Sequence, residues 1–155
     1  MAKVSICVPT YNNASEVERL LQSVRRQNYT DYEVNISDDS TNEETAELIE
    51  RIIIEWSWQD KLHYIHNEKP LGHIYNWNAA IKMAAGEYIK IMFSDDWFTD
   101  SDSLGTFVSM LDEHPEANLA FSGSMQVLLN GQDIEQVKHL NKQVTEHGNA
   151  YARYA

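Results

Sequence analysis

The chain has a single cysteine, Cys7, so neither an intrachain disulfide nor a cysteine-based zinc cluster can form. Cys7 lies inside the apolar run 4–8, where a small core residue is expected rather than a reactive thiol. Positive charge is scarce as well: 12 Lys and Arg against 24 Asp and Glu leave a formal net charge of -12. A surface of that sign repels phosphate backbones and anionic lipid, which argues against nucleic acid as a partner. An anionic substrate remains compatible, but a diphosphate would need a divalent cation or a local positive group to hold it. Long hydrophobic runs are missing too. The longest, such as 89–93 with Lys90 inside it, are far too short to span a bilayer, and no signal-peptide h-region opens the chain. A cytoplasmic protein is expected, with peripheral attachment to the inner face of the membrane left open.

With 155 residues, 43% of them hydrophobic, there is material for one core but not for a second complete domain. Residues 4–8 read as a strand ended by Pro9, and 14–27 as a helix with Val17, Leu20, Leu21 and Val24 on one face. Ser15 with Glu18, or Asn13 with Glu16, offers that helix a capping pair. The pattern repeats: strand 32–37, helix 43–58 with Ala46, Ile49, Ile53 and Trp56 sharing a face, and strand 62–66. Helix 74–85, closed by Gly86, strand 88–93 and helix 102–113, stopped by Pro115, complete the alternation. Further strands are expected at 118–123, 125–129 and 133–137, the last two joined by a tight turn at Asn130-Gly131. Trp56 and Trp58 are read as packing residues. No internal repeat, linker or low-complexity segment is evident. Such alternation implies a mostly parallel sheet with helices on both faces, and such sheets bind ligands outside the carboxyl ends of their strands.

Three polar clusters follow the predicted strands: Pro9 to Asn13, then Asp38, Asp39 and Ser40, then Ser94, Asp95, Asp96 and Trp97. Turn and capping chemistry explains about half of these positions but not two acid pairs at strand ends. Adjacent carboxylates at the mouth of a sheet repel one another unless they share a cation or one caps a helix. Hard oxygen ligands suit Mg²⁺ or Mn²⁺, which completes its octahedron with water and phosphate oxygens. Tyr11 could stack on a base or pack on neighbours; Asp39 could accept a base N–H or cap the helix at Glu43. Neither G-x-G-x-x-G after the first strand nor G-x-x-x-x-G-K-[ST] occurs, which disfavours dinucleotide and P-loop sites.

The segments Val4-Ser5-Ile6-Cys7-Val8-Pro9-Thr10-Tyr11-Asn12 and Ser37-Asp38-Asp39-Ser40-Thr41-Asn42-Glu43-Glu44-Thr45 resemble the two nucleotide-binding segments of the family 2 glycosyltransferases. Leu71-Gly72 through Asn78, then Ala85-Gly86-Glu87-Tyr88-Ile89 and Ser94-Asp95-Asp96, are similar to that family's later signatures in the same order. The resemblance covers about residues 3–130. It implies an α/β GT-A fold, a Rossmann-like sandwich with a mostly parallel central sheet, and inverting transfer from a nucleotide diphosphate sugar, with bound Mg²⁺ or Mn²⁺. It further implies that Tyr11 stacks on the base, Pro9 and Thr10 line its pocket, and Asp39 bonds the base edge, most often uracil. Asp95 would contact the ribose or metal side of the donor, Asp96 would ligate the metal, and Gly72 would permit close approach to the donor. Residues 1–137 would form the nucleotide-sugar-binding domain and 138–155 the start of an acceptor-side segment whose remainder is missing.

Two departures stand out. Phe93 occupies a position where the family often has an aspartate, and Trp77, before the Asn matched by Asn78, one where many members have an arginine. His73 is near enough to replace that phosphate contact. The catalytic base is expected beyond Ala155, with Glu146 and His147 the late candidates within the chain. Expected partners are a nucleotide-sugar donor, UDP-linked above all, and a saccharide or lipid-linked acceptor of polysaccharide biosynthesis; homo-oligomerisation is compatible. Competing readings are a sugar nucleotidyltransferase, which usually has a Gly-rich basic loop after the first strand, and a non-catalytic nucleotide- or carbohydrate-binding module.

Overall fold

The computed structural model describes residues 1–123 and two strands beyond them, Met125–Asn130 and Asp133–Lys138. In chain order the elements are β1 (Val4–Thr10), α1 (Ala14–Arg25), β2 (Tyr32–Asp38), α2 (Glu44–Trp56), β3 (Leu62–His66), α3 (His73–Lys82), β4 (Tyr88–Ile91), α4 (Ser103–Glu113), β5 (Met125–Asn130) and β6 (Asp133–Lys138). The first four strands make one parallel sheet in the order β3-β2-β1-β4. β1 and β2 run in register from Val4↔Tyr32 to Thr10↔Asp38, so both chains leave the sheet at the same edge. Cys7↔Ile91 is the last β1–β4 pair, which brings the residues after Ile91 to that edge as well.

Side chains alternate along a strand, so the central pair presents two faces of different chemistry. Val4, Ile6 and Val8 with Tyr32, Val34 and Ile36 form an apolar face, fully buried. α1 packs there: the Tyr32 hydroxyl donates to the Val24 carbonyl at 3.3 Å, and Val17, Leu20, Leu21 and Val24 are the predicted buried stripe. In α2 the buried residues are Thr45, Leu48, Ile49 and Ile52, with Ala46, Ile53 and Trp56 only half-buried, so the expected stripe is rotated. That helix carries apolar residues at too many positions for periodicity alone to choose a face. Trp58 is buried and packs edge-on against Tyr32 at 6.2 Å and Trp56 at 5.0 Å, a packing role as expected.

The opposite face is polar at its centre: Ser5, Glu33, Asn35 and Ser37 are all buried, beside Cys7. Glu33 Oε1 accepts the Ser5 hydroxyl at 2.7 Å, the Ala85 N–H at 2.8 Å and Asn35 Nδ2 at 3.1 Å. Burial alone would raise this carboxyl, but those donors, with His63 nearby, outweigh it and hold it below the usual carboxylate range. Burial, reinforced by the Glu33 charge, pushes the Cys7 thiol up to about 11, an inert core residue as expected.

Several boundaries differ from the sequence expectation. α3 stops at Lys82 with Met83 as its C-cap, so Gly86 is not the cap. Gly86 instead presses on β1: its N–H donates to Ser5 Oγ, and a Cβ there would lie 2.8 Å from Ser5 N and 2.9 Å from Val4 C. α1 begins after Asn13, but neither capping pair forms: Asn13 makes no side-chain cap bond, and Ser15 turns to Glu16. β4 ends at Ile91 rather than 93, and residues 118–123 form no strand, only a one-residue bridge at Phe121. The chain divides into two compact units, Met1–Gly105 and Thr106–Ala155. In the second, β5 and β6 pair antiparallel from Met125↔Lys138 to Asn130↔Asp133, as expected of that hairpin. Gly131, Glu146, His147 and the expected acceptor-side segment after Lys138 lie outside the described residues. Among the described residues, no helix is long and apolar enough to cross a membrane.

Candidate functional site

The chain leaves the sheet edge at Thr10, Asp38, His66 and Ile91, and polar bonds tie the loops that follow into one surface. Thr10 is 2% exposed, and its carbonyl accepts both the Asp39 N–H and Asn76 Nδ2 at 3.0 Å. Its hydroxyl donates to Asn13 Oδ1, and Asn13 Nδ2 donates onward to Ser94 Oγ, linking the ends of β1 and β4. Pro9 is buried within β1, whereas Tyr11, the next residue after Thr10, is 52% exposed. The first expected cluster thus divides into a buried frame, Pro9 and Thr10, and one presented aromatic ring.

The first acid pair divides in the same way. Asp38 is fully buried and shapes its own turn, accepting the Ser40 N–H at 2.8 Å and the Tyr64 hydroxyl at 2.7 Å. Asp39 does not cap α2, whose N-cap Glu43 makes no side-chain bond and whose first turn receives none from it. Its Oδ1 instead accepts Asn67 Nδ2 at 2.9 Å and its Oδ2 accepts the Gly72 N–H at 2.8 Å, at the entrance to α3. Gly72 has φ 84° and ψ 161°, a region essentially restricted to glycine. A Cβ built on it would meet nothing within 4 Å, so conformation rather than crowding demands glycine, and the space beside it is open.

α3 rests on the polar face through Asn76 and Ala80 and leaves His73, Trp77 and Asn78 exposed. Asn78, singled out from sequence, therefore faces outward. Asn76, two residues earlier, is the one anchored to the Thr10 carbonyl, with its Oδ1 3.4 Å from Asn67 Nδ2. Asn67 and Asn76 carried no sequence signal, because their partners lie up to 66 residues away. The Trp77 and Phe93 rings touch, with centroids 4.9 Å apart.

Asp95 and Asp96 are exposed in the turn after Phe93. The Asp96 N–H donates to the Phe93 carbonyl at 2.9 Å, and its Oδ2 accepts the Phe93 N–H at 3.3 Å. The chain beyond is fastened to α1 by Phe98 N–H to Ser23 Oγ at 3.1 Å and by Gln27, which donates to the Asp100 carbonyl and accepts the Leu104 N–H. Burial holds the Lys90 ammonium below the usual lysine range, opposed by the Asp96 carboxylate, so a positive group lies within the field of that acid. Among the described residues no three His, Cys, Asp or Glu side chains gather into a metal cage. An exposed carboxylate pair suits a Mg²⁺ or Mn²⁺ that takes its remaining ligands from water and a diphosphate, and does not suit an ion held by protein alone.

The model of the family described as Glycosyl transferase family 2 matches residues 5–141. A Campylobacter jejuni GalNAc(5)-diNAcBac-PP-undecaprenol beta-1,3-glucosyltransferase is 25% identical over 148 residues, spanning 92% of this chain and 47% of its own length. Among solved structures, Staphylococcus aureus TarS 1-349 in complex with UDP-GlcNAc superposes with a TM-score of 0.68 at 28% identity, covering 86% of this chain and 37% of TarS 1-349. The mannosyltransferase PcManGT from Pyrobaculum calidifontis, in complex with GDP-Man and Mn²⁺, gives 0.63 at 27% identity, covering 70% and 32%. The chain thus spans less than half the length of each of these proteins.

Proposed function

The chain belongs to glycosyl transferase family 2 and has its GT-A fold, and from that premise we propose that the strand-end surface binds the nucleoside diphosphate of a UDP-sugar, with Mg²⁺ or Mn²⁺, for inverting transfer to a saccharide or lipid-linked acceptor. The observation that carries this reading is the Asp39 carboxylate, fixed between Asn67 and the Gly72 N–H and one residue from the end of β2. A carboxylate held on both oxygens retains lone pairs for one further donor in a set direction, which suits the imide N–H of a uracil ring. Tyr11, half exposed on the neighbouring loop, offers a face for stacking. Buried Pro9 and Thr10 serve as the pocket wall, and open space beside Gly72 admits the ligand.

Asp95 and Asp96 would hold the ion, which supplies charge neutralisation for the departing diphosphate. Lys90 supplements that positive field, which matters in a chain of net charge -12. His73, exposed at the N-terminus of α3, is assigned to the phosphate side, whereas Asn78, which faces outward on the same helix, is given no contact with the donor. Inversion also needs a base to take the acceptor proton. None of the described residues is assigned that role. UDP-GlcNAc in the TarS complex and Mn²⁺ in the PcManGT complex support the choice of base and ion, and the undecaprenol-linked compound in the name of the Campylobacter jejuni relative supports a lipid-linked acceptor.

Screening nucleoside diphosphates for thermal stabilisation, with and without Mn²⁺, tests the whole reading. A ligand at 100 times its dissociation constant adds about 2.7 kcal/mol of stability. UDP should stabilise more than the other diphosphates, and Mn²⁺ should enlarge its effect. Equal stabilisation by all bases, or none by any, would remove the assignment.

A further inference from the structure

Between buried Thr10 and helix α1, Asn12 adopts φ 50°, a left-handed backbone that asparagine tolerates better than most residues other than glycine. Its main-chain N–H donates to Ser40 Oγ at 2.8 Å, its Oδ1 accepts the Thr41 N–H at 2.9 Å, and its Nδ2 donates to Thr41 Oγ1 at 3.2 Å. The receiving side is itself fixed. Ser40 is 3% exposed, its N–H is held by Asp38 Oδ1, and its carbonyl lies 2.9 Å from His66 Nε2. Asn12 immediately follows Tyr11, and Ser40 immediately follows Asp39. The main-chain bond therefore joins the direct neighbours of the two residues assigned to the base, one offering a ring face and the other an edge acceptor, and the side-chain bonds fasten the same turn to the next residue, Thr41.

We propose that Asn12 is the positioning residue of the base pocket: its left-handed turn and its bonds to the loop after β2 set where the Tyr11 ring stands relative to the Asp39 carboxylate. The inference rests on the base-pocket reading above. An exposed tyrosine on an unrestrained loop loses orientational freedom when a ligand orders it, and a turn already fixed by a main-chain bond to buried Ser40 and side-chain bonds to Thr41 removes much of that cost in advance. A clamp that merely closed the sheet edge would contribute to stability and leave base affinity untouched.

The two roles separate in a double-mutant cycle. UDP binding without metal is measured by calorimetry for the unaltered chain, Asn12→Gly, Asn12→Asp, Tyr11→Ala and Asn12→Gly/Tyr11→Ala, with a thermal midpoint for each. Asn12→Gly keeps the left-handed backbone but loses the side-chain acceptor, and should weaken UDP about three- to tenfold, the scale of one hydrogen bond. Asn12→Asp keeps an acceptor for the Thr41 N–H and should recover most of that loss. In the Tyr11→Ala background, Asn12→Gly should cost nothing more. Equal losses in the two backgrounds would overturn the proposal, as would an Asn12→Gly chain that binds like the unaltered one while Tyr11→Ala does not. If Tyr11→Ala itself binds UDP as the unaltered chain does, the base-pocket reading fails and takes this proposal with it.

Discussion

Removing the Asp39 carboxylate should have two separable effects, because it bonds the entrance to α3 in the structure and is proposed to meet the base as well. It is 3% exposed, and it satisfies the Gly72 N–H at 2.8 Å and Asn67 Nδ2 at 2.9 Å. In Asp39→Ala, Asn67 still has the Ser37 hydroxyl at 3.1 Å, but the Gly72 N–H loses the acceptor described for it. Gly72 is exposed, so water can reach the freed N–H, and the loss is that of a hydrogen bond to a charged group, about 1.5–3 kcal/mol, which for a unit of this size lowers the thermal midpoint by roughly 4–8 °C per kcal/mol. Asp39→Asn keeps a carbonyl oxygen that can face Gly72 and lowers the midpoint less. It presents its amide to Asn67, however, and has lost the charge proposed to meet the base. Both variants should weaken UDP by about 1–3 kcal/mol. Melting curves and calorimetry on the pair decide the matter. An Asp39→Ala chain that melts like the unaltered one would show that the carboxylate does not hold the entrance to α3. An Asp39→Asn chain with full UDP affinity would show that the carboxylate does not meet the base.

Asp96→Ala should abolish the Mn²⁺-dependent part of UDP binding while shifting stability by no more than about 0.5 kcal/mol, since the side chain is exposed and its own bond is long; Asp95→Asn should do the same more weakly, and calorimetry with and without Mn²⁺ reads both. Gly86→Ala should destabilise by about 1–3 kcal/mol in urea unfolding, because the new methyl meets β1 backbone at 2.8 Å; an unchanged midpoint would refute the close approach. Glu33 has a folded pKa below its ordinary 4.5, so its contribution is complete above about that pH and is lost as pH falls through the lower folded value. Urea midpoints from pH 6 down to about 3 should therefore fall less steeply in Glu33→Gln than in the unaltered chain.

Strand and helix order was legible because β1 carries a short apolar run and β2 to β4 alternate apolar with polar residues between turn residues, and β3 ran as read, from Leu62 to His66. What escaped was set by contacts across the sheet. Met83, Ala84 and Ala85 are good helix formers, and nothing local ends α3 at Lys82. The Ala85 N–H is taken by Glu33 and the Gly86 N–H by Ser5, on two other strands, so tertiary bonds override propensity there. The glycine read as a cap is a contact glycine for the same reason. At the site, Tyr11, Asp95 and Asp96 could be placed at the mouth because a strand end is a sequence feature. Asn67 and Asn76 could not, since each acts on a residue that only folding brings near.

The two departures from the family pattern illustrate how sequence and structure constrain one another. Read along the chain, Trp77 and Phe93 are separate anomalies, each removing a charged side chain from the expected site. In the fold they are one feature, two half-exposed rings in contact at 4.9 Å, joining α3 to the turn that carries Asp95 and Asp96. A charged residue introduced at either position alone would face an aromatic ring, whereas opposite charges at both would face one another. The electrostatic consequence falls on the diphosphate. Without an arginine at position 77, the positive field near the proposed site rests on Lys90, whose charge burial disfavours and Asp96 favours, on the N-terminus of α3, and on the proposed ion. A chain that carries 24 acids against 12 bases and puts an aromatic ring at position 77 should, on the proposed reading, depend on a divalent ion for diphosphate binding more strongly than a relative with arginine there.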